Sequence, residues 1–216
     1  MFDLTLTFDN GPEPGVTDAV LDTLAREEIR ATFFVIGRKL AAPEGRRLAE
    51  RAHAEGHWIG NHTWSHRTPL GLLDDPQEAE SEIARTQAEL GSLAHPRRYF
   101  RPFGGGGNLD KRLLSRAALD YLRRERFTCV LWNSIPRDWE DADFWVERAL
   151  DQAAAQPWSL MVLHDLPGGA MRHLDRFVGE VRARGGRFRQ DFPPGCVPLL
   201  DGKIVAPIED YVAGAS

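Results

Sequence analysis

Short apolar segments alternate with amphipathic ones along most of this chain, and this alternation constrains the fold more than any other feature. Residues 4–9 (LTLTFD) are predicted to form a buried strand, followed by a turn-rich loop and a helix from Thr17, as N-cap, to about Glu28. Strand and helix then alternate six or seven times. Continuous apolar strands with helices between them predict a parallel sheet that is covered on both faces.

The remaining elements are predicted from the same patterns. Strands are expected at 31–37, 57–61, 98–101, 127–133, 159–163 and 187–189, and helices at 44–54, 76–93, 109–124, 141–155 and 174–184. A chain of 216 residues suits one domain, 1–216, because α/β barrels reach this size without splitting. The proline-rich residues 192–216, with a hairpin signal at Asp201-Gly202, are expected to form an extended tail that packs on this domain.

Bulk properties argue against several classes of partner. The net charge of −5 gives no electrostatic basis for binding nucleic acid. No run of 18 apolar residues is present, so no membrane span is expected. The N-terminus lacks a charged region followed by an apolar one, so we expect no signal peptide and a soluble, cytoplasmic protein. The two cysteines, Cys129 and Cys196, are too few for a disulfide framework.

Polar residues with catalytic or metal-binding chemistry gather where the predicted strands end. They are Asp9, Asn10, His62, Arg101, Asp138 and His164. In a parallel barrel the carboxyl ends of the strands face one side, and active sites form there. Packing alone does not explain their placement on several strands, so the sequence predicts a single catalytic site.

His62 and His66 are spaced to share one metal ion. On a helical turn, residues four apart lie on one face, which is a geometry that binds a divalent metal. Alternatively, one histidine ends the strand and the other is exposed to solvent. The carboxylate-type residues at another strand end favour the metal site.

Asp9 and Asn10 allow two roles. One side chain can accept a proton from water while the other supplies a third metal ligand, or both can form an Asx-turn before Gly-Pro. His164 can donate a proton to a leaving group, because histidine titrates near neutral pH, or it can be a hydrogen-bonded core residue.

Arg101 precedes a rigid turn, where it can clamp a carboxylate bidentately or form an ordinary surface ion pair. The glycines at 104–107 lack the neighbours of a phosphate-binding loop and instead predict that substrate approaches the backbone closely. Asp138 places a carboxylate beside Trp139, whose large ring can contact a substrate or belong to the core.

Taken in order, these residues resemble the motifs of the polysaccharide deacetylase family, the NodB-homology domain of carbohydrate esterase family 4. The family pattern T-F-D-D-G-P is similar to residues 7–12 (TFDNGP), H-[ST]-x-x-H to 62–66 (HTWSH), and R-x-P-Y-G to 101–104 (RPFG). The end of D-x-x-D-W is kept at 138–139, with Ile135 at its first acidic position, and L-x-H is similar to 162–164 (VLH). The resemblance covers residues 4–165.

The resemblance implies a distorted (β/α)7 barrel of the NodB type that removes an acetyl group, as an amide or an ester, from a carbohydrate or small acetamide. It implies Asp9 as general base and His164 as general acid, with Arg101 orienting Asp9 and Asp138 tuning the catalytic pair. It also implies a divalent metal, most readily Zn²⁺, held by His62, His66 and Asn10. The backbone N–H of Phe103 would stabilise the oxyanion.

Asn10 is the chief departure from the family, which usually has a metal-binding aspartate there. An amide oxygen can coordinate but adds no negative charge, so we expect weaker metal binding. Two other functions remain open. One is a metal-independent amidohydrolase, against which the presence of both His62 and His66 argues. The other is a catalytically silent carbohydrate-binding domain, against which Asp9 and His164 argue.

Overall fold

The computed structural model describes residues 1–214, which are built around a sheet of nine strands. The strands are β1 (Phe2–Asp9), β2 (Thr32–Val35), β3 (Trp58–Asn61), β4 (Tyr99–Phe100), β5 (Thr128–Cys129), β6 (Trp158–His164), β7 (Gly186–Arg189), β8 (Leu199–Leu200) and β9 (Lys203–Ile204). The helices are α1 (Val16–Arg26), α2 (Gly37–Leu40), α3 (Pro43–Ala54), α4 (Pro76–Leu90), α5 (Arg116–Arg124), α6 (Trp145–Ala154) and α7 (Leu174–Ala183).

Strands β1 to β7 pair in parallel, in the order β6-β1-β2-β3-β4-β5, with β7 beside the first half of β1. Beyond β5, Ser134 forms a parallel bridge with Met161 of β6, and its carbonyl oxygen accepts from the Val162 N–H at 3.0 Å. This bridge connects the segment after β5 to β6, and so joins the two edges of the parallel sheet. The sheet therefore curls into the distorted α/β barrel that was predicted.

Side chains of β1 alternate between the helical layer and the barrel interior. Leu4, Leu6 and Phe8 belong to the apolar cluster that includes residues of α1, α6 and α7. Because successive side chains of a strand point to opposite faces, Thr7 and Asp9 face the interior. The β1–β6 register places Asp9 directly opposite His164, so two candidate catalytic residues meet at the carboxyl ends of neighbouring strands.

The predicted N-cap at Thr17 is wrong. Gly15, with φ of 82°, is the N-cap of α1. The Thr17 hydroxyl instead accepts from the Glu13 N–H at 2.7 Å and donates to the buried carboxyl of Asp165. The local sequence pattern assigns the Thr17 hydroxyl to the helix N-cap, but this hydroxyl bonds to a residue far away in the chain.

Other predicted bounds differ where side chains or tertiary contacts end an element. Helix α5 begins at Arg116 and not at 109, because the Ser115 hydroxyl caps it by accepting from the Ala118 N–H at 3.2 Å. The strand predicted at 31–37 stops at Val35, and Gly37 begins the short helix α2, which the apolar pattern did not indicate. The strand predicted at 127–133 is regular only over Thr128–Cys129.

The tail contains the predicted hairpin. Leu199 pairs with Ile204 and Leu200 with Lys203 around Asp201-Gly202, whose φ angles of 49° and 81° suit a two-residue hairpin turn. Strand β8 also pairs with β5, so the tail extends the sheet. Residues 215 and 216 of the predicted tail lie outside the described residues.

Both cysteines are buried and free. Within residues 1–214, no helix has the length and apolar character needed to cross a membrane.

Gly11, directly after the Asp9-Asn10 pair, packs against the Asp165 carboxyl so closely that a Cβ would lie 2.1 Å from its Oδ2. We expect Gly11→Ala to lower the free energy of unfolding by about 1–3 kcal/mol, as overpacking does, measured by urea denaturation. Gly179→Ala in α7 is the control, because a Cβ there meets nothing within 4 Å and removing a helical glycine stabilises by up to ~1 kcal/mol. Equal stabilities of the two variants would contradict this packing.

Candidate active site

Arg101 is fully buried in the barrel interior and holds Asp9 in place. Its Nη1 donates to Asp9 Oδ1 at 2.8 Å and to Thr7 Oγ1 at 2.6 Å. Its Nε and Nη2 donate to the carbonyl oxygens of Val130 and Leu131 at 3.1 and 3.2 Å. Because only Nη1 reaches Asp9, the bidentate clamp predicted for Arg101 is wrong. The guanidinium is instead shared between the base and the barrel wall.

The imidazole of His62 is held in one tautomer. Its Nδ1 lies 2.8 Å from the carbonyl oxygen of Arg101, which can only accept, so Nδ1 carries the proton and Nε2 has a free lone pair. Burial lowers the pKa of His62 to about 3, although the bond to the Arg101 carbonyl opposes this, so the ring is neutral at physiological pH. Nε2 faces Asp9 Oδ2 at 3.6 Å. Two acceptors that face each other suit a shared cation.

His66 lies beside His62, with ring centroids 4.9 Å apart. The helical turn predicted for this pair is wrong, because Thr63 and His66 have φ angles of 65° and 53° and the segment is a loop. Burial, and next the positive charge that His62 carries when it is protonated, lowers the pKa of His66 to about 3. The ring of Phe103 stacks on His66 at a centroid distance of 3.9 Å and fixes its plane.

The amide oxygen of Asn10 is buried and has no hydrogen-bond partner among residues 1–214. The Asx-turn considered for Asn10 is therefore wrong, since that turn requires this oxygen to accept a backbone N–H. An unpaired buried acceptor costs free energy, typically about 1–3 kcal/mol, unless a ligand satisfies it. Within the described chain, no three His, Cys, Asp or Glu side chains form a metal-binding group, so a third ligand beside the two histidines would come from another side chain, and Asn10 lines the same cavity.

His164 is held by Asp138. Its Nδ1 donates to Asp138 Oδ1, and its backbone N–H donates to Oδ2, both at 2.8 Å. Burial alone would lower the pKa of His164, but the hydrogen bond to Asp138 and the charges of Asp138 and Asp9 outweigh it and raise that pKa above 6.5. The proton-donating form of His164 therefore persists to higher pH than in a free histidine.

Trp139 does not belong to the core, because 41% of its surface is exposed. Its ring meets His164 edge-on at 4.7 Å between centroids. The indole therefore stands at the rim of the site, where a sugar ring can reach it.

One cavity of about 410 Å³ unites the predicted residues. Its lining includes Asp9, Asn10, His62, His66, Phe103, Trp139, His164 and the glycines at 104–107. Arg101 and Asp138 are absent from this wall and stand behind it, where they contact Asp9 and His164. The structure thus brings together all nine predicted site residues, seven on the surface of the cavity and two in support.

Thr7 is a site residue that the sequence reasoning did not assign. Its hydroxyl accepts from Arg101 and donates to the carbonyl oxygen of Met161 at 2.7 Å, which ties β1 to both Arg101 and β6. The sequence pattern could have indicated this residue, because threonines at every second position of an otherwise apolar strand mark its polar face.

The family model for polysaccharide deacetylase matches residues 3–122. The chain belongs to the polysaccharide deacetylase family. It is 38% identical over 168 residues to a chitooligosaccharide deacetylase of Rhizobium leguminosarum bv. trifolii, covering 74% of this chain and 70% of that protein. It is 30% identical over 193 residues to a peptidoglycan-N-acetylglucosamine deacetylase of Bacillus cereus, covering 86% of this chain. The match spans 66% of that relative's length.

The solved structure of the Bc1960 peptidoglycan N-acetylglucosamine deacetylase has the same fold. It superposes with a TM-score of 0.75 at 27% sequence identity, over 93% of this chain and 90% of that one. The resemblance to carbohydrate esterase family 4 and the barrel expected from it are thereby confirmed.

Asp138 stabilises the charged form of His164, so Asp138→Asn is expected to lower the His164 pKa. Without that carboxylate, burial dominates and the pKa should fall below its wild-type value, which moves loss of the protonated form to lower pH. An NMR titration of the imidazole measures this directly. Glu140→Gln, an exposed carboxylate two residues away, is the control and should leave the pKa in place. An unchanged pKa in Asp138→Asn would refute the assignment.

Proposed function

We propose that this protein is a metal-dependent hydrolase that removes an acetyl group from a carbohydrate or a related small acetamide. The observation that carries the proposal is the pairing of Asp9 and His164 across β1 and β6, each held by its own buried partner at the wall of one cavity. A base and an acid that face the same space are what amide or ester hydrolysis requires. The names of the relatives support a glycan substrate.

The donor atoms at one end of the cavity fit a divalent cation. They are the free Nε2 of His62, the neutral ring of His66 and the unpaired amide oxygen of Asn10. Two imidazoles and one oxygen suit Zn²⁺, which favours nitrogen and oxygen ligands with one position left open. When bound, such a cation supplies Lewis acidity to the acetyl carbonyl and to the attacking water.

Side chains of the protein then carry out the proton transfers. Asp9 accepts the proton of the attacking water, and the Arg101 guanidinium holds that carboxylate in position. His164 gives a proton to the departing amine or hydroxyl, with Asp138 holding the imidazole. The backbone N–H of Phe103 would donate to the oxyanion, a type of contact typically worth about 3 kcal/mol. Trp139 offers its exposed ring to the sugar.

Acetate release from a panel of N- and O-acetylated oligosaccharides, with metal content measured on the same sample, tests this function. We expect activity that chelation abolishes, and a loss of roughly 10²- to 10⁴-fold in kcat for Asp9→Asn, as for removal of a general base. Activity that survives chelation would identify a metal-independent amidohydrolase. Glycan binding without turnover by the metal-loaded protein would identify a carbohydrate-binding domain.

Asn10 sets the affinity for the metal. Asn10→Asp adds a negative charge to the donor set, and we expect zinc to bind about tenfold more tightly, because ligand charge governs the affinity of such sites. Titration of metal-free protein with zinc measures this. Asn108→Asp makes the same change at an exposed amide after the glycine run and should leave the affinity unchanged. Equal or weaker zinc binding by Asn10→Asp would contradict the assignment of Asn10 as a metal ligand.

A further inference from the structure

A second pocket, of about 310 Å³, opens beside the loop at residues 62–68. It is lined by Arg38, Trp64, Ser65, Arg67, Thr68, Leu73, Glu78, Glu82 and Arg85. The same loop contributes His62 and His66 to the catalytic cavity, so one short loop borders both spaces. The two spaces are therefore neighbours across this loop.

This pocket concentrates cationic side chains that have no acidic partner. Most arginines of the chain form an ion pair with a carboxylate. Arg38, Arg67 and Arg85 form none within residues 1–214, although the whole protein has a net charge of −5. Three unpaired guanidinium groups around one pocket in an acidic protein form a local positive site.

Stacking orients one of these groups. The guanidinium carbon of Arg85 lies 4.1 Å from the centroid of the Trp64 ring. A guanidinium held by its face on an indole leaves its planar edge of N–H groups free to donate to two oxygens of one anion. Trp64 therefore prepares Arg85 for bidentate recognition.

Two carboxylates, those of Glu78 and Glu82, line the pocket together with the three arginines. Glu82 accepts from the Ser65 N–H at 2.8 Å and so ties the loop to α4. Glu78 lies in the first turn of α4, where the positive end of the helix dipole stabilises a negative charge. Three arginines against two glutamates leave the pocket with one net positive charge for a ligand.

We propose that Arg38, Arg67 and Arg85 form an anion subsite that binds a carboxylate or sulfate group on a sugar next to the acetylated one. This inference rests on the proposed function, because the ligand is a glycan that also occupies the catalytic cavity. The subsite makes the enzyme selective for acidic glycans over neutral ones. A guanidinium fork matches the paired oxygens of both anions, so the chemistry of recognition is shared.

Binding is tested without turnover by calorimetry on metal-free protein. The probes are neutral chitotetraose, a hyaluronan tetrasaccharide that carries carboxylates, and chitotetraose sulfated at O6. We expect at least one acidic probe to bind about fivefold more tightly than the neutral one at low salt, equivalent to ~1 kcal/mol. The preference should shrink at high salt, because exposed charges are screened. The tighter of the two acidic probes identifies the source of the anion.

Three variants test whether the preference for acidic probes depends on Arg85. Arg85→Ala should abolish the acidic preference, and Arg85→Lys should retain part of it, since lysine keeps the charge but loses the planar fork. Arg97→Ala, at another exposed arginine without an ion pair, should leave the preference intact. Equal affinity for all three probes, or a preference that Arg85→Ala does not change, would overturn the subsite.

Turnover separates this inference from the proposed function. If the enzyme deacetylates neutral and acidic glycans with equal kcat/KM, the subsite is refuted while the deacetylase activity stands. If it deacetylates neither but still binds acidic probes more tightly through Arg85, the subsite stands and the proposed activity fails.

Discussion

The buried ion pair between Arg101 and Asp9 is the interaction on which the rest of the site depends. Removing two charges from water is costly, and the cost is offset only when their remaining hydrogen-bonding groups are satisfied. Here the guanidinium also donates to Thr7 and to two carbonyl oxygens of the segment after β5. The backbone carbonyl of Arg101 in addition accepts from His62. One residue thus positions Asp9 through its side chain and His62 through its main chain, so the two cannot move independently.

The base and the acid differ because their surroundings differ, although β1 and β6 place them side by side. Asp9 sits against the Arg101 guanidinium, whose Nη1 lies 2.8 Å from Asp9 Oδ1. His164 sits against the Asp138 carboxylate, which favours the protonated imidazole. The rings of His62 and His66 form no hydrogen bond with a carboxylate among residues 1–214, and burial lowers the pKa of each. One cavity therefore borders a histidine whose pKa is raised and two histidines whose pKa is lowered.

Much of this arrangement could be predicted from the sequence, because it follows local rules. Apolar strands separated by helices imply a parallel sheet, and polar residues at the strand ends then fall on one side of it. Errors arose where a side chain found a distant partner. Thr17 was expected to cap a helix and instead bonds to Asp165, which is 148 positions away. His62 and His66 were expected to meet on a helical turn, but a loop with two left-handed residues brings them together. Spacing alone does not distinguish these geometries.

The sequence by itself determined the parallel sheet through its periodicity, and short motifs that resemble those of a known family determined the barrel and the identity of the nine candidate residues. Only the tertiary structure decided how they act. It left the amide oxygen of Asn10 buried without a partner, selected the tautomer of His62 and exposed the ring of Trp139 at the rim of the cavity. It also brought three arginines that form no ion pair within residues 1–214, Arg38, Arg67 and Arg85, to one pocket beside the histidine loop. The physical reason is that burial and hydrogen-bond partners come from segments far apart in the chain, and these become neighbours only when the barrel closes.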